Sequence, residues 1–105
     1  MNAEELKGHL DALILAVLAA EPLHGYAVIE ALKRRSGGEL SLPEGTVYPA
    51  LHRLERDGLL RSDWTEGGRR RRVYSLTRRG RSELGVRRAR WRAFASTIDT
   101  VLAWT

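Results

Sequence analysis
Residues 42–60 read LPEGTVYPALHRLERDGLL, and the rest of the chain takes its meaning from them. Val47, Ala50, Leu51 and Leu54 recur at helical spacing on one face, so the stretch is predicted to be an amphipathic helix. Its stop signal is Asp57-Gly58, where glycine can take the left-handed cap conformation. Two starts fit the sequence. Ser41 with Glu44 three residues on makes a capping box with an early Pro43; a cap at Thr46 would instead place Pro49 in the first turn. The opposite face carries Gly45, Pro49, His52, Arg53 and Arg56, with Thr46 and Tyr48 on the flanks. Gly45 and Pro49 are poor choices inside a helix, and rule-breaking of this kind is expected at functional sites. A slim, donor-rich helix start of this sort suits the major groove of DNA; an ordinary kinked surface helix is the other reading.

Upstream, residues 1–8 read as a frayed lead-in, and His9 to Ala20 as a helix. That helix is apolar on nearly every side: Leu6, Leu10, Leu13, Ile14, Val17 and Leu18 form one stripe, and Leu15 with three alanines covers the other. This predicts burial on two faces, the second against a partner subunit. Pro22 ends it, and His24-Gly25-Tyr26 opens a second helix that stops at Gly37-Gly38. The hydroxyl of Tyr26 suits a phosphate, and its ring suits a half-buried core position. Two short helices, a turn and a third helix with a polar face form a helix-turn-helix pattern.

Downstream the period changes to two. Leu60, Ser62 and Trp64 alternate, Glu66-Gly67-Gly68 makes a turn, and Arg72, Tyr74 and Leu76 alternate back. This is a β-hairpin with Arg69, Arg70, Arg71 and Arg72 climbing out of its tip, a wing that suits phosphates or the minor groove; a solvated charged hairpin is the alternative. Thr77 is predicted to cap a last helix running to about Trp104. Its Leu84, Arg88, Trp91, Ala95, Ile98, Leu102 and Thr105 follow a coiled-coil seam, widened by Phe94 and Val101. Leu10, Leu84, Trp91, Phe94, Ile98 and Leu102 are the expected dimer interface.

Charge supports a polyanionic partner. The chain is 105 residues with net charge +5, but residues 1–60 hold 6 Lys plus Arg against 9 Asp plus Glu, whereas residues 61–105 hold 12 Arg against 4 acids. There is no cysteine, hence no disulfide framework and no thiolate metal site. His9, His24 and His52 sit on separate elements without ligand spacing, and no phosphate loop, nucleophile elbow or paired carboxylates occur, which argues against a metal, a cofactor or an enzyme. No signal-peptide pattern or long apolar span occurs, so the expected location is the cytoplasm, with no membrane partner.

Three strings, HGY at 24–26, GTVYPALHRLERDGLL at 45–60 and GGRRRRVYSLTRRG at 67–80, make the chain resemble the PadR family of bacterial transcriptional regulators over nearly its whole length from Leu10. The resemblance implies a mainly α fold with a small β-hairpin: a winged helix-turn-helix over residues 1–76 and a dimerisation helix over 77–105, similar to the smaller PadR subgroup. It implies a homodimer on a pseudo-palindromic operator in double-stranded DNA, usually as a repressor. The expected DNA contacts are Tyr26, Gly45, Thr46, Tyr48, Pro49, His52, Arg53, Arg69, Arg70 and Arg71. Trp91 and Phe94 are candidates for a small aromatic or hydrophobic effector. Two features depart from the family: the wing lacks the proline often found after its Gly-Arg, and Arg78 and Arg79 replace the acids usual after the wing threonine. The competing class is a winged helix that binds protein, or a small-molecule sensor without operator binding.

Overall fold
In the computed structural model, which describes residues 3–6, 8–65 and 68–104, four elements surround one apolar helix. In chain order the elements are α1 (Ala3–Leu6), α2 (Leu10–Ala20), β1 (Leu23–His24), α3 (Gly25–Arg35), α4 (Glu44–Arg56), β2 (Leu60–Trp64), β3 (Arg72–Leu76) and α5 (Arg78–Leu102). The central helix is α2, which touches α3, α4, β3 and α5. Its Ile14, Leu15, Val17 and Leu18 are all buried. The expectation that its second face needs a partner subunit is therefore corrected: α5 of the same chain folds back over it. The lead-in is also corrected, because α1 forms and Leu6 is buried. Met1, Asn2 and Lys7 of that lead-in, Glu66 and Gly67 of the expected tip turn, and Thr105 of the seam lie outside the described residues.

The expected hairpin forms, with Leu60 opposite Leu76, Ser62 opposite Tyr74 and Trp64 opposite Arg72. Leu60, Tyr74 and Leu76 turn inward, and alternation puts Arg61, Asp63 and Ser75 on the opposite face. A third strand not anticipated from sequence, β1, pairs antiparallel with β3 through Leu23 and His24, giving the sheet order β1-β3-β2. It ties the turn before α3 to the wing.

Helix α4 begins one way that sequence did not suggest. Neither Ser41 nor Thr46 caps it; Pro43 occupies the cap position without a side-chain bond, and its carbonyl accepts from the amides of Thr46 (3.0 Å) and Val47 (3.2 Å). Pro43 suits that place because its ring-restricted φ of −78° holds the extended conformation a cap requires. The end is as predicted. Gly58 takes φ +80°, its amide donates to Glu55, and the Leu59 amide reaches back to Leu54 (2.9 Å), a Schellman closure.

Thr77 caps α5, its Oγ1 accepting from the Gly80 amide at 3.0 Å. The same hydroxyl donates to the Gly58 carbonyl at 2.7 Å, and the Thr77 amide donates to the Leu59 carbonyl at 3.1 Å. Gly80 is buried against this junction, and a β-carbon there would overlap the Leu59 carbonyl oxygen. Arg79 has a physical account here. Its guanidinium packs over Gly58, so a cation expected to be unfavourable at the start of α5 sits at the end of α4, where the helix dipole favours it. One turn on, Leu84 is buried in the chain's own core, which removes it from the expected dimer interface. Beyond it α5 projects, and Trp91, Phe94, Ile98, Val101 and Leu102 are exposed.

Gly80→Ala should force the Leu59 carbonyl to move. Overpacking of this kind costs about 1–3 kcal/mol, read as a lowered midpoint in chemical denaturation with unchanged slope. Wild-type stability in this variant would show that α5 docks less closely than described.

Candidate nucleic-acid interface
The start of α3, the exposed flank of α4 and the wing converge on an open groove of about 620 Å³. His24, Gly25 and Tyr26 line one side, Glu44, Tyr48 and His52 the floor, and Trp64, Tyr74 and Arg69 to Arg72 the wing side. Of the residues expected to contact DNA, the fold brings Tyr26, Tyr48, His52, Arg69, Arg70 and Arg71 together here. Tyr26 is 53% exposed, so the half-buried core reading of its ring is set aside. Tyr48 is half-buried because its ring lies on Gly25, where a β-carbon would overlap it. The glycine of the HGY string therefore positions a side chain on another helix. Burial pushes the Tyr74 hydroxyl above its ordinary range, so this phenol stays neutral at the groove wall.

The four wing arginines differ. Arg72 is held at 3.0 Å from Glu55, and its Nε donates to the Ser62 hydroxyl at 2.6 Å, which in turn donates to Glu55. Arg70 lies over the Trp64 ring at 4.4 Å. Arg69 and Arg71 are exposed and precede β3, so strand alternation does not govern which way they point. Thr65 pins the loop locally: its amide donates to the Arg71 carbonyl at 2.8 Å, and its hydroxyl accepts from the Arg71 amide.

Thr46 and Arg53 lie away from this groove. They line a second hollow of about 380 Å³ together with Leu6, Leu10, Asp11 and Arg87. Arg53 makes a two-pronged ion pair with Asp11 of α2, at 2.7 and 2.8 Å. Arg53, expected with His52 among the DNA contacts, is thus engaged within the chain. Helical spacing places it on the outer face, but an acid 42 residues away has captured it. The hydrogen bonds from Arg53 hold the Asp11 carboxyl below the usual carboxylate range against the opposing effect of burial, with the charges of Arg53 and Arg87 adding to the shift. The same bond raises Arg53 further above its ordinary value. Gly45 and Pro49 are exposed, and a β-carbon at Gly45 would meet nothing within 4 Å, so the chain's own packing does not require a glycine there.

The expected interface residues divide. Leu10 is half-buried against the chain's own core, Leu84 is inside it, and Trp91, Phe94, Ile98 and Leu102 remain exposed on α5. Trp91 meets His9 edge-on at 5.3 Å and stands 6.1 Å from Phe94. Among the described residues no cluster of three His, Cys, Asp or Glu could hold a metal ion, and no helix is long and apolar enough to cross a membrane. Sequence reasoning missed His24, Gly25 and Trp64 in the groove, and Asp11 and Glu55 as partners of arginines. The one signal available was the HGY string at the start of α3.

The sequence profile of the PadR-like family of transcriptional regulators matches residues 14–86. A transcriptional regulator of Mycobacterium tuberculosis is 43% identical over 72 residues, covering 68% of this chain and 64% of that protein, so the chain spans a little under two thirds of its length. An uncharacterised protein of Lysinibacillus sphaericus is 26% identical over 94% of this chain and 93% of its own. The chain is also similar to the solved structure of a PadR-like transcription factor from Bacteroides fragilis, with 36% identity, TM-score 0.79, and 94% and 95% of the two chains covered. A PadR family regulator from Eggerthella lenta superposes with TM-score 0.86 at 32% identity, over 97% and 88% of the chains.

The Asp11–Arg53 pair has a defined pH signature. Because the folded-state pKa of Asp11 is lowered, its contribution to stability is present above the unfolded-state value, about pH 4, and is lost as pH falls through the folded value. The stability difference between wild type and Asp11→Asn should be constant from pH 5 to 8 and shrink below about pH 4. A difference that persists unchanged in acid would show that the pair does not hold the two helices together.

Proposed function
The chain belongs to the PadR-like family of transcriptional regulators, and on that footing we propose that it binds a pseudo-palindromic operator as a homodimer and represses transcription there. The observation that carries this reading is the groove in which Tyr26, Tyr48 and His52 face Arg69, Arg70 and Arg71. Three elements distant in sequence put hydroxyl, imidazole and guanidinium groups on one concave surface, the mixture that phosphates and base edges require. Gly45 and Pro49 support it: an exposed glycine inside a helix costs about 1 kcal/mol relative to alanine, and here it leaves open space at the end of the helix that would enter the major groove. Thr46, exposed on the other flank of α4, is proposed as a further phosphate contact. Arg53, tied to Asp11, serves chiefly to seat α4 on α2.

Residues 1–76 with the root of α5 form the DNA-binding unit in this reading, and the rest of α5 is the arm that pairs two chains. Trp91, Phe94, Ile98 and Leu102 make the exposed apolar stripe that a second arm would cover. Trp91 and Phe94 offer two adjacent rings to a small aromatic or hydrophobic effector between paired arms.

Selection of bound duplexes from a random pool tests the proposal. Wild-type protein should enrich a pseudo-palindrome with half-sites about one helical turn, roughly 34 Å, or a multiple of it apart. Protein carrying Ile98→Glu and Leu102→Glu, both outside the folded core, should stay folded, sediment as a monomer and enrich only a half-site. Failure to enrich any sequence would overturn operator binding, and a palindrome selected by a monomeric variant would overturn pairing through α5.

A further inference from the structure
We infer that Trp64 is a positioning residue and that the arginine it holds, Arg70, is the wing cation that sets sequence preference at the flanks of the bound DNA; this rests on the DNA-binding reading above. Trp64 ends β2, lines the groove and is 53% exposed, so the core does not account for so large an aromatic side chain there. The cation nearest its ring is Arg70, whose guanidinium carbon stands 4.4 Å from the ring centroid, against 6.0 Å for that of Arg72.

A guanidinium lying against an aromatic face is attracted by the ring quadrupole, while its N–H donors project from the edge of its own plane and stay available. Arg70 is thus restricted in position without losing its donors. Arg72 is restricted too, but its Nε and one Nη donate to Ser62 and Glu55, so part of its donor set is already used. Among the described residues no acid or ring holds Arg69 or Arg71. The distinction has a consequence for recognition. Loosely tethered cations follow phosphates wherever they lie and favour all sequences alike, whereas one cation at a fixed place responds to local groove width and potential, which are strongest in narrow A·T-rich minor groove. Holding the side chain in place beforehand lowers the ordering cost of that single contact.

The test uses the duplex recovered by selection with wild-type protein, made in two versions whose base pairs just outside the half-sites are all A·T or all G·C, and a random duplex. Wild type should prefer the A·T flanks by on the order of tenfold. Trp64→Leu and Arg70→Ala should each bring that ratio close to one, and Trp64→Phe, which keeps a ring, should retain most of it. Arg69→Ala should weaken all three duplexes by a common factor and leave the ratio alone. Wild-type flank preference in Trp64→Leu, or equal loss in the Leu and Phe variants, overturns the proposal while operator binding stands. If Trp64→Leu melts below the assay temperature, Arg70→Ala decides: an unchanged ratio overturns the proposal. Wild-type protein that binds none of the duplexes overturns the DNA-binding reading and this inference with it.

Discussion

The close backbone approach of Gly80 to the Leu59 carbonyl is the constraint on which the rest depends. Within a few residues of it the end of α4, the first strand of the wing and the root of α5 meet, and Thr77 joins them by capping α5, donating to Gly58 and bonding Leu59. The angle between the helix proposed to read DNA and the arm proposed to pair chains is therefore set by main-chain geometry, which is stiffer than any side-chain contact. Pairing two arms would then place two reader helices at a defined separation, the property a dimeric operator-binding protein needs. Leu84 and the covering of α2 extend the same junction into the core.

Charge is distributed with similar economy. The count of 18 Lys and Arg overstates the cations free to meet a polyanion, because Arg53, Arg72 and Arg87 are paired with Asp11, Glu55 and Glu83. Two of these pairs brace the site: Asp11–Arg53 seats α4 on α2, and Glu55–Arg72 fastens the wing to α4. The arginines left over at the wing, Arg69, Arg70 and Arg71, stand at the groove mouth. The acidic first half of the chain is thus in part the framework that holds individual arginines still.

Much of this was legible in the residues, for identifiable reasons. Helical period, Gly58 and Gly37 as stops, Thr77 as a cap, and the switch to period two at Leu60 are local signals, and each is realised. The features that escaped are non-local. Strand β1 is two residues long and exists only because β3 lies beside it. The partner of Arg53 is on another helix, and a seam position such as Leu84 has the same spacing whether it faces a second chain or its own core. Pro43 caps α4 through backbone geometry, which leaves no side-chain oxygen to find in the sequence. At the groove, Tyr48, His52 and the arginines were visible as types in a pattern; that Trp64 and His24 join them follows from tertiary packing alone.

The surface formed by α4 and the wing is proposed to bind the DNA backbone and bases of an operator. The most direct measurement is the affinity of wild-type protein for its selected duplex across a series of salt concentrations. Each phosphate neutralised contributes about 0.9 to the slope of log affinity against log salt, and a dimer with a wing and a reader helix on each side should give a slope steeper than about −4. A slope near zero would contradict the claim, because a surface that binds through neutral contacts has no counterions to release.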